Sequence, residues 1–406
     1  MSSAPRLLRS DGEPEALAAA VLGLPQHGGV LALAAPQEEA LLRQALAPLP
    51  LPGPGLVLGT GGSSGGRRWC VQPLAHLQAS VAGCGQWLGA IGLETGRCQL
   101  FNPLPLHHIS GLMPLLRSAS WGAGHRALAP ELLRQPARLR AEASPAAADG
   151  PALLSLVPTQ LQRLLDDADG RRWLEAFALI WVGGASLPAA LAARCRALGL
   201  RLAPCYGSTE TGSMVAALAP EAFLAGVPGC GPALPHAQLR TAADGTLEIR
   251  AASLAAGFLA AGCFEPLPLA DGWWRSGDGA LLTAQGLQWR GRLDGAINSG
   301  GETVFPEQVR ERLLELAANA GLPVQELLLL PQADARWGER LVALVRLRSG
   351  GLPAVLDQLQ AIARSLPPSQ RPMRWLDCPE LMATATGKWD PVHWRAWLAA
   401  QLDGLT

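Results

Sequence analysis

Apolar and polar positions alternate in two different textures along this chain. The first 53 residues are rich in Ala, Leu and Pro and show little periodicity. From residue 54 the chain reads as strand, turn and helix, repeatedly. "GLVLGT" (55–60) is a short apolar run ending in Gly, which predicts a buried strand. "HLQASVAGCGQWLGAIGL" (76–93) predicts a buried helix. "PALLSLVPTQLQRLLDD" (151–167) predicts a strand, then a helix that starts at Pro158 and carries an apolar stripe. "FALIWVGG" (177–184) predicts a strand ending in Gly, "PAALAARCRALG" (188–199) a helix, and "LRLAPC" (200–205) another strand. Strands and helices alternating at this length predict an α/β fold with parallel sheet.

The texture changes near residue 226. Asp-Gly pairs at 244–245, 271–272 and 278–279 punctuate short apolar runs, which predicts a small antiparallel β region with a turn at each pair. It changes again after Arg292. Helices over 306–321 and 352–366 and strands over 326–331 and 341–347 predict a small α+β unit. A Trp-rich helix follows the loop that holds Lys388.

Composition narrows the class. At 406 residues, 49% hydrophobic and 16% charged, the chain has material for more than one core. The formal net charge is zero, so no basic field suggests nucleic acid, and a small molecule is the expected partner. The apolar run over 45–66 is broken by Pro48, Pro50, Pro52 and Pro54, which argues against membrane insertion. Asp11, Glu13 and Glu15 interrupt any signal-like segment. The eight Cys form no CxxC spacing, and buried thiols in a reducing, cytoplasmic setting are expected.

Five stretches and one lysine carry chemistry. "TGGSSGGRR" (60–68) follows an apolar strand; its Gly residues let backbone N–H groups close around phosphate oxygens, and a flexible linker is the competing reading. "CYGSTETG" (205–212) sets the only Tyr, Tyr206, beside hydroxyls and the carboxylate of Glu210. That suits base stacking and Mg²⁺, and otherwise reads as a polar turn. In 272–309, Asp278 in its Gly turn and Arg292 could address a ribose, and "SGGE" (299–302) is a second Gly-rich loop. "PLHHISGL" (105–112) offers His107 or His108 to a pocket, and "WVGGASLP" (181–188) ends a strand in a Gly pair that admits a flat ring. The chain has 32 Arg and one Lys, Lys388 in "TGK". An ammonium on a flexible stem can sit between two anionic oxygens where a planar guanidinium does not fit.

Taken in order, these motifs resemble the adenylate-forming superfamily of acyl- and aryl-CoA synthetases, luciferases and peptide-synthetase adenylation domains, over about residues 55–391. The resemblance implies that Thr60, Gly61, Gly62, Ser63, Ser64, Gly65 and Arg68 wrap the phosphates of ATP. Gly184, Ala185 and Tyr206 would sandwich adenine, with Gly207 beside them. Thr209 and Glu210 would serve phosphate and Mg²⁺, and Asp278 and Arg292 would hold ribose. Asp294 would be a hinge, and Lys388 and His108 catalytic. It also implies a large N-terminal AMP-binding domain (1–293) of parallel sheets with helices plus a small β region. A small mobile α+β C-terminal lid (294–406) would follow. "PLHHISGL", "SLVPTQLQRLL" and the short length are most similar to the o-succinylbenzoate–CoA ligases of menaquinone and phylloquinone biosynthesis, which implies CoA and a carboxylic acid as co-substrates. Other aryl- or fatty-acyl-CoA ligases, a carrier-loading adenylation domain and a non-catalytic nucleotide-binding paralogue stay open. Two features depart from the pattern: Arg68 stands where the family's loop has Lys, and the loop begins early, as if part of the usual N-terminal subdomain were missing.

Overall fold

The computed structural model describes residues 5–9, 14–60, 68–147, 149–383 and 389–403. The chain divides into two compact units. One comprises the residues through Leu187 with Ala193–Ser276 and Leu281–Gln288; the other comprises Pro188–Ala192, Gly277–Ala280 and the residues from Trp289 on.

The first unit is built on two six-stranded sheets. In the first, β1 (Arg6–Arg9), β2 (Val30–Ala34) and β3 (Gly55–Thr60) are parallel. β4 (Arg68–Pro73) then runs antiparallel to β3, and the hairpin Gly257–Ala260/Cys263–Pro266 extends the sheet beyond it. Helices α1 (Pro14–Leu22), α2 (Leu24–His27) and α3 (Glu39–Ala45) connect the early strands. The weak periodicity before residue 54 therefore conceals regular structure. All five residues of β2 are buried, and Leu17, Val21 and Leu42 pack into the same cores, so little polar contrast remains to read.

The second sheet follows the expected pattern more closely. It holds β5 (Gln99–Asn102), β6 (Gly124–Ala127), β7 (Ala152–Leu156), β8 (Leu179–Val182), β9 (Leu202–Ser208) and β10 (Ser213–Ala217), in spatial order β10-β9-β8-β7-β5-β6. All pairs are parallel except β9/β10, a hairpin. α4 (Leu74–Ala90) and α5 (Ile109–Trp121) supply Leu77, Val81, Leu112 and Met113 to a shared core.

A smaller antiparallel sheet contains Ala237–Thr241, Thr246–Ala251, Leu269–Ala270 and Trp273–Thr283. Asp244-Gly245 and Asp271-Gly272 are its turns, as expected; Asp271 and Gly272 both have positive φ, +50° and +79°. The third Asp-Gly pair is a correction. Asp278 and Gly279 lie inside the strand Trp273–Thr283, because the flanking "WWRS" and "ALLT" continue the sheet on both sides.

In the second unit, helices Pro306–Asn319 and Leu356–Ala363 pack on a sheet whose longest strands are Val324–Asp334 and Gly338–Leu347. Val309, Leu313, Leu329, Leu341 and Val345 form the core. The short strand Arg374–Asp377, which the sequence pattern does not announce, adds parallel to Gly338–Leu347. Its side chains are only partly buried, so no apolar run marks it. Among the described residues no helix is long and apolar enough to cross a membrane. No Cys is in a disulfide; most are buried, whereas Cys263, at the turn of an edge hairpin, is exposed.

Candidate active site

The strand β3 ends at Thr60, and Arg68 opens β4 directly opposite it in the ladder. Gly61, Gly62, Ser63, Ser64 and Gly65 lie outside the described residues, as does Lys388. Thr60 is buried, and its Oγ1 donates to Oε1 of Glu210 at 2.9 Å. Two motifs 150 residues apart thus meet at one point. Arg68 is exposed and stacks over the ring of Phe258, 3.7 Å from the centroid. A planar guanidinium can do this and keep its N–H edges available to anions.

Glu210 sits in the turn of the β9/β10 hairpin. Tyr206 and Gly207 are the strand residues before it. A side chain at Gly207 would place its Cβ 2.0 Å from the carbonyl oxygen of Ser213, so only Gly lets the two strands close here. Within the turn, Thr211 Oγ1 accepts from Ser208 N at 2.8 Å and donates to Ser213 O at 2.6 Å. Three successive carbonyls are held from outside the hairpin. Gln72 Nε2 donates to Thr209 O at 2.5 Å, Ala255 N to Glu210 O at 2.8 Å, and Ser253 Oγ to Thr211 O at 2.7 Å. The turn is therefore fixed, and with it the direction of the Glu210 carboxylate. Its charge also acts on the neighbouring thiol: burial first, then Glu210, holds Cys70 well above the ordinary thiol range. Hydroxyl and carboxylate oxygens are the donors a hard cation such as Mg²⁺ takes when phosphate supplies the rest. The described residues contain no cluster of three or more His, Cys, Asp or Glu that could hold a metal by itself.

Gly184 and Ala185 follow β8 and are exposed; Gly184 has φ +80°, a conformation that favours Gly. His108 stands at the N-cap of α5, with the His107 ring 4.2 Å from its own. Asn102, almost fully buried, holds this loop. Its Nδ2 donates to Gly111 O at 2.7 Å and its Oδ1 accepts from Leu104 N at 3.2 Å.

Two turns further along α5 is Arg117, which the sequence reading passed over. It is 1% exposed, the deepest charge in the unit. Nη2 reaches Ser213 Oγ at 3.3 Å and the guanidinium lies 5.2 Å from the Trp181 ring centroid. Among the described residues its Nε has no hydrogen-bond partner, and the hydrogen bond described for its Nη2 goes to a hydroxyl and not a carboxylate. His236 faces the same region: burial first, then the charge of Arg117, lowers it to about 4. Burial first, helped by the neighbouring Cys230, raises the Cys205 thiol to about 12. The available signal was one Arg inside the otherwise uncharged "ISGLMPLLRSASW".

Asp278, Arg292 and Asp294 gather in the second unit. Arg292 grips Asp294 with two N–H groups, at 3.1 and 2.9 Å, and lies 3.6 Å from Asp278. Asp278 is 13% exposed at its side chain and Arg292 39%, so the pair sits at the edge of bulk water.

Known proteins resemble this chain in sequence and fold. Residues 54–257 match the model of a family described as AMP-binding enzyme. A 2-succinylbenzoate–CoA ligase of Geobacillus sp. is 28% identical over 285 residues, covering 68% of this chain and 55% of that protein. A probable 2-succinylbenzoate–CoA ligase of Mycobacterium tuberculosis H37Rv is 30% identical over 323 residues, covering 77% of this chain and 76% of that protein. Against the first relatives it matches, the chain spans about half their length (55%, 46% and 53%). Among solved structures, o-succinylbenzoate CoA synthetase of Bacillus subtilis, in complex with its acyl-adenylate intermediate, superposes with a TM-score of 0.70 at 23% identity over 84% of this chain and 68% of that one. Wild-type Escherichia coli MenE, with a bound phenylether-linked analogue of OSB-AMS, gives 0.61 at 28% identity, over 85% and 69%. With the Gly-rich strand end, the Glu210 turn and the family match falling on the same residues, this chain belongs to the AMP-binding enzyme family.

Proposed function

We propose that this chain is an AMP-forming acid–CoA ligase whose acid is a dicarboxylate of the 2-succinylbenzoate class. One carboxylate attacks the α-phosphorus of ATP, releasing pyrophosphate and forming an acyl-adenylate. The thiol of CoA then takes the acyl group, and AMP leaves. Thr60 and Arg68 flank the phosphate-binding loop, and Glu210 offers its carboxylate to Mg²⁺. When bound, Mg²⁺ neutralises phosphate charge. Tyr206, Gly207, Gly184 and Ala185 accept the base, Thr209 a phosphate, and Asp278 with Arg292 the ribose. Lys388 supplies charge between the incoming carboxylate and the α-phosphate, and His108 borders the acid. Residues 1–293 act as the nucleotide-binding domain and 294–406 as the lid that turns at Asp294.

The observation that carries the acid's identity is Arg117. A buried guanidinium without a carboxylate costs several kcal/mol unless a ligand compensates it. The second carboxylate of a succinylbenzoate is such a ligand, and the Trp181 ring beside the guanidinium offers its aromatic ring an apolar neighbour. A fatty acid would leave the charge uncompensated.

The test is AMP release over a panel of acids. Turnover with 2-succinylbenzoate is expected to exceed that with benzoate or straight-chain monoacids. Arg117→Met is expected to lower kcat/KM for the dicarboxylate by about 2–4 kcal/mol in transition-state terms while raising thermal stability. Equal use of monoacids would point to a general acyl-CoA ligase. Pyrophosphate exchange without thioester formation on CoA would point to carrier loading, and ATP binding without AMP release to a non-catalytic paralogue.

A further inference from the structure

Gln72 is a fully buried side chain that no motif accounts for. It lies on β4, four residues after Arg68, between the apolar Val71 and Pro73. A buried amide on a core strand needs a reason, because each unmet polar group costs stability. Its Nε2 spans from the phosphate-loop strand to the β9/β10 turn and donates to Thr209 O at 2.5 Å. Gly212 N also donates to that oxygen at 3.2 Å, a local turn bond. Among the described residues the remaining contact of Nε2 is a long one, 4.0 Å to Cys70 Sγ, and Oε1 has no partner. A local turn needs no second donor from a distant strand. The placement makes sense if the object held is the neighbour of Thr209, the Glu210 carboxylate that meets Thr60.

We infer that Gln72 is a positioning residue for the Mg²⁺–ATP site. It ties β4, which leaves the phosphate loop, to the turn that aims Glu210, so that both sides of the phosphates keep one register. This rests on the ATP-activating reading above. Partners behind a metal-binding carboxylate tune affinity through its orientation, without touching the ion.

The test is ATP binding by calorimetry, with and without Mg²⁺, on the full chain and on Gln72→Met. Methionine has similar length and no donor. Mg²⁺-dependent ATP affinity is expected to fall by about 10-fold or more, the size seen when such supporting partners are removed. Affinity without Mg²⁺ and the rate of thioester formation from supplied acyl-adenylate are expected to hold. If Gln72→Met melts far below the parent, Gln72→Asn, which withdraws the amide by one methylene, is held to the same two readings. Equal loss with and without Mg²⁺, or no loss at all, overturns the role of Gln72. Glu210→Gln sets the reference: if it leaves the Mg²⁺ dependence unchanged, the reading of the turn itself fails. If it shifts that dependence and Gln72→Met does not, only the present inference fails.

Discussion

Lys388 is the only lysine among 33 cationic side chains, and the single position at which the chain avoids arginine. If its charge is needed only while the carboxylate and the α-phosphate approach each other, the second half-reaction should not require it. Lys388→Ala is therefore expected to lower adenylate formation by about two orders of magnitude or more, while supplied acyl-adenylate and CoA still give thioester. Lys388→Arg should rescue poorly, because the fork is longer and planar. Both readings come from one pair of assays, AMP formed from ATP and thioester formed from synthetic adenylate. Wild-type adenylation by the Arg variant would make the single Lys an accident of codon use. Arg117 and Gln72 are the complementary cases at this scale: one charged and one polar side chain, each buried where a folding argument alone would place an apolar one.

At the scale of elements, helix α4 and the segment entering Ala237–Thr241 lock together through His236 and Gly83. A Cβ on Gly83 would fall 2.1 Å from Nδ1 of the His236 ring, so the helix makes room for the imidazole. Burial, and then Arg117, keeps His236 neutral down to about 4, against an ordinary value of 6.5. The sign follows. Above pH 6.5 neither folded nor unfolded chain binds this proton. Between 6.5 and 4 the unfolded chain binds it and the folded one resists, so stability is lost as pH falls through that window. The loss attributable to this group is at most about 3 kcal/mol once pH reaches 4. Denaturant unfolding at pH 7.5 and pH 5 should show the drop, and His236→Phe should flatten it. An unchanged slope in the variant would assign the effect to other groups.

For the whole molecule, if one site performs the two chemistries proposed above, a part must change place, and such parts turn on a few residues. Arg292 holds Asp294 by a two-point grip within the second unit. Asp294→Pro removes that grip and fixes φ near about −65°. It is expected to slow one half-reaction more than the other, whereas Asp294→Ala, which removes only the grip, should not reproduce the imbalance. Equal loss of both half-reactions in the Pro variant would remove Asp294 from the hinge role.

What the sequence determined by itself was whatever is local. Runs such as "GLVLGT" and "FALIWVGG" lie in strands buried on both faces, so a continuous apolar stretch is enough to read them. Asp-Gly turns at 244 and 271 follow from the φ > 0 that those residues tolerate. The order of the Gly-rich loop, the Tyr-Gly turn and the final Lys carried the family. What the tertiary structure decided was non-local. Asp278 entered a strand because partner strands, not its own dipeptide, decide where a sheet ends. The strand Val30–Ala34 had no alternation to show, since its surroundings are apolar on every side. The meeting of Thr60 with Glu210, the hold of Gln72 on Thr209 and the burial of Arg117 against Ser213 and Trp181 depend on chain segments far apart in sequence. A periodicity reading sees neighbours along the chain. The desolvation that gives a buried charge or amide its meaning exists only once the sheets have closed around it.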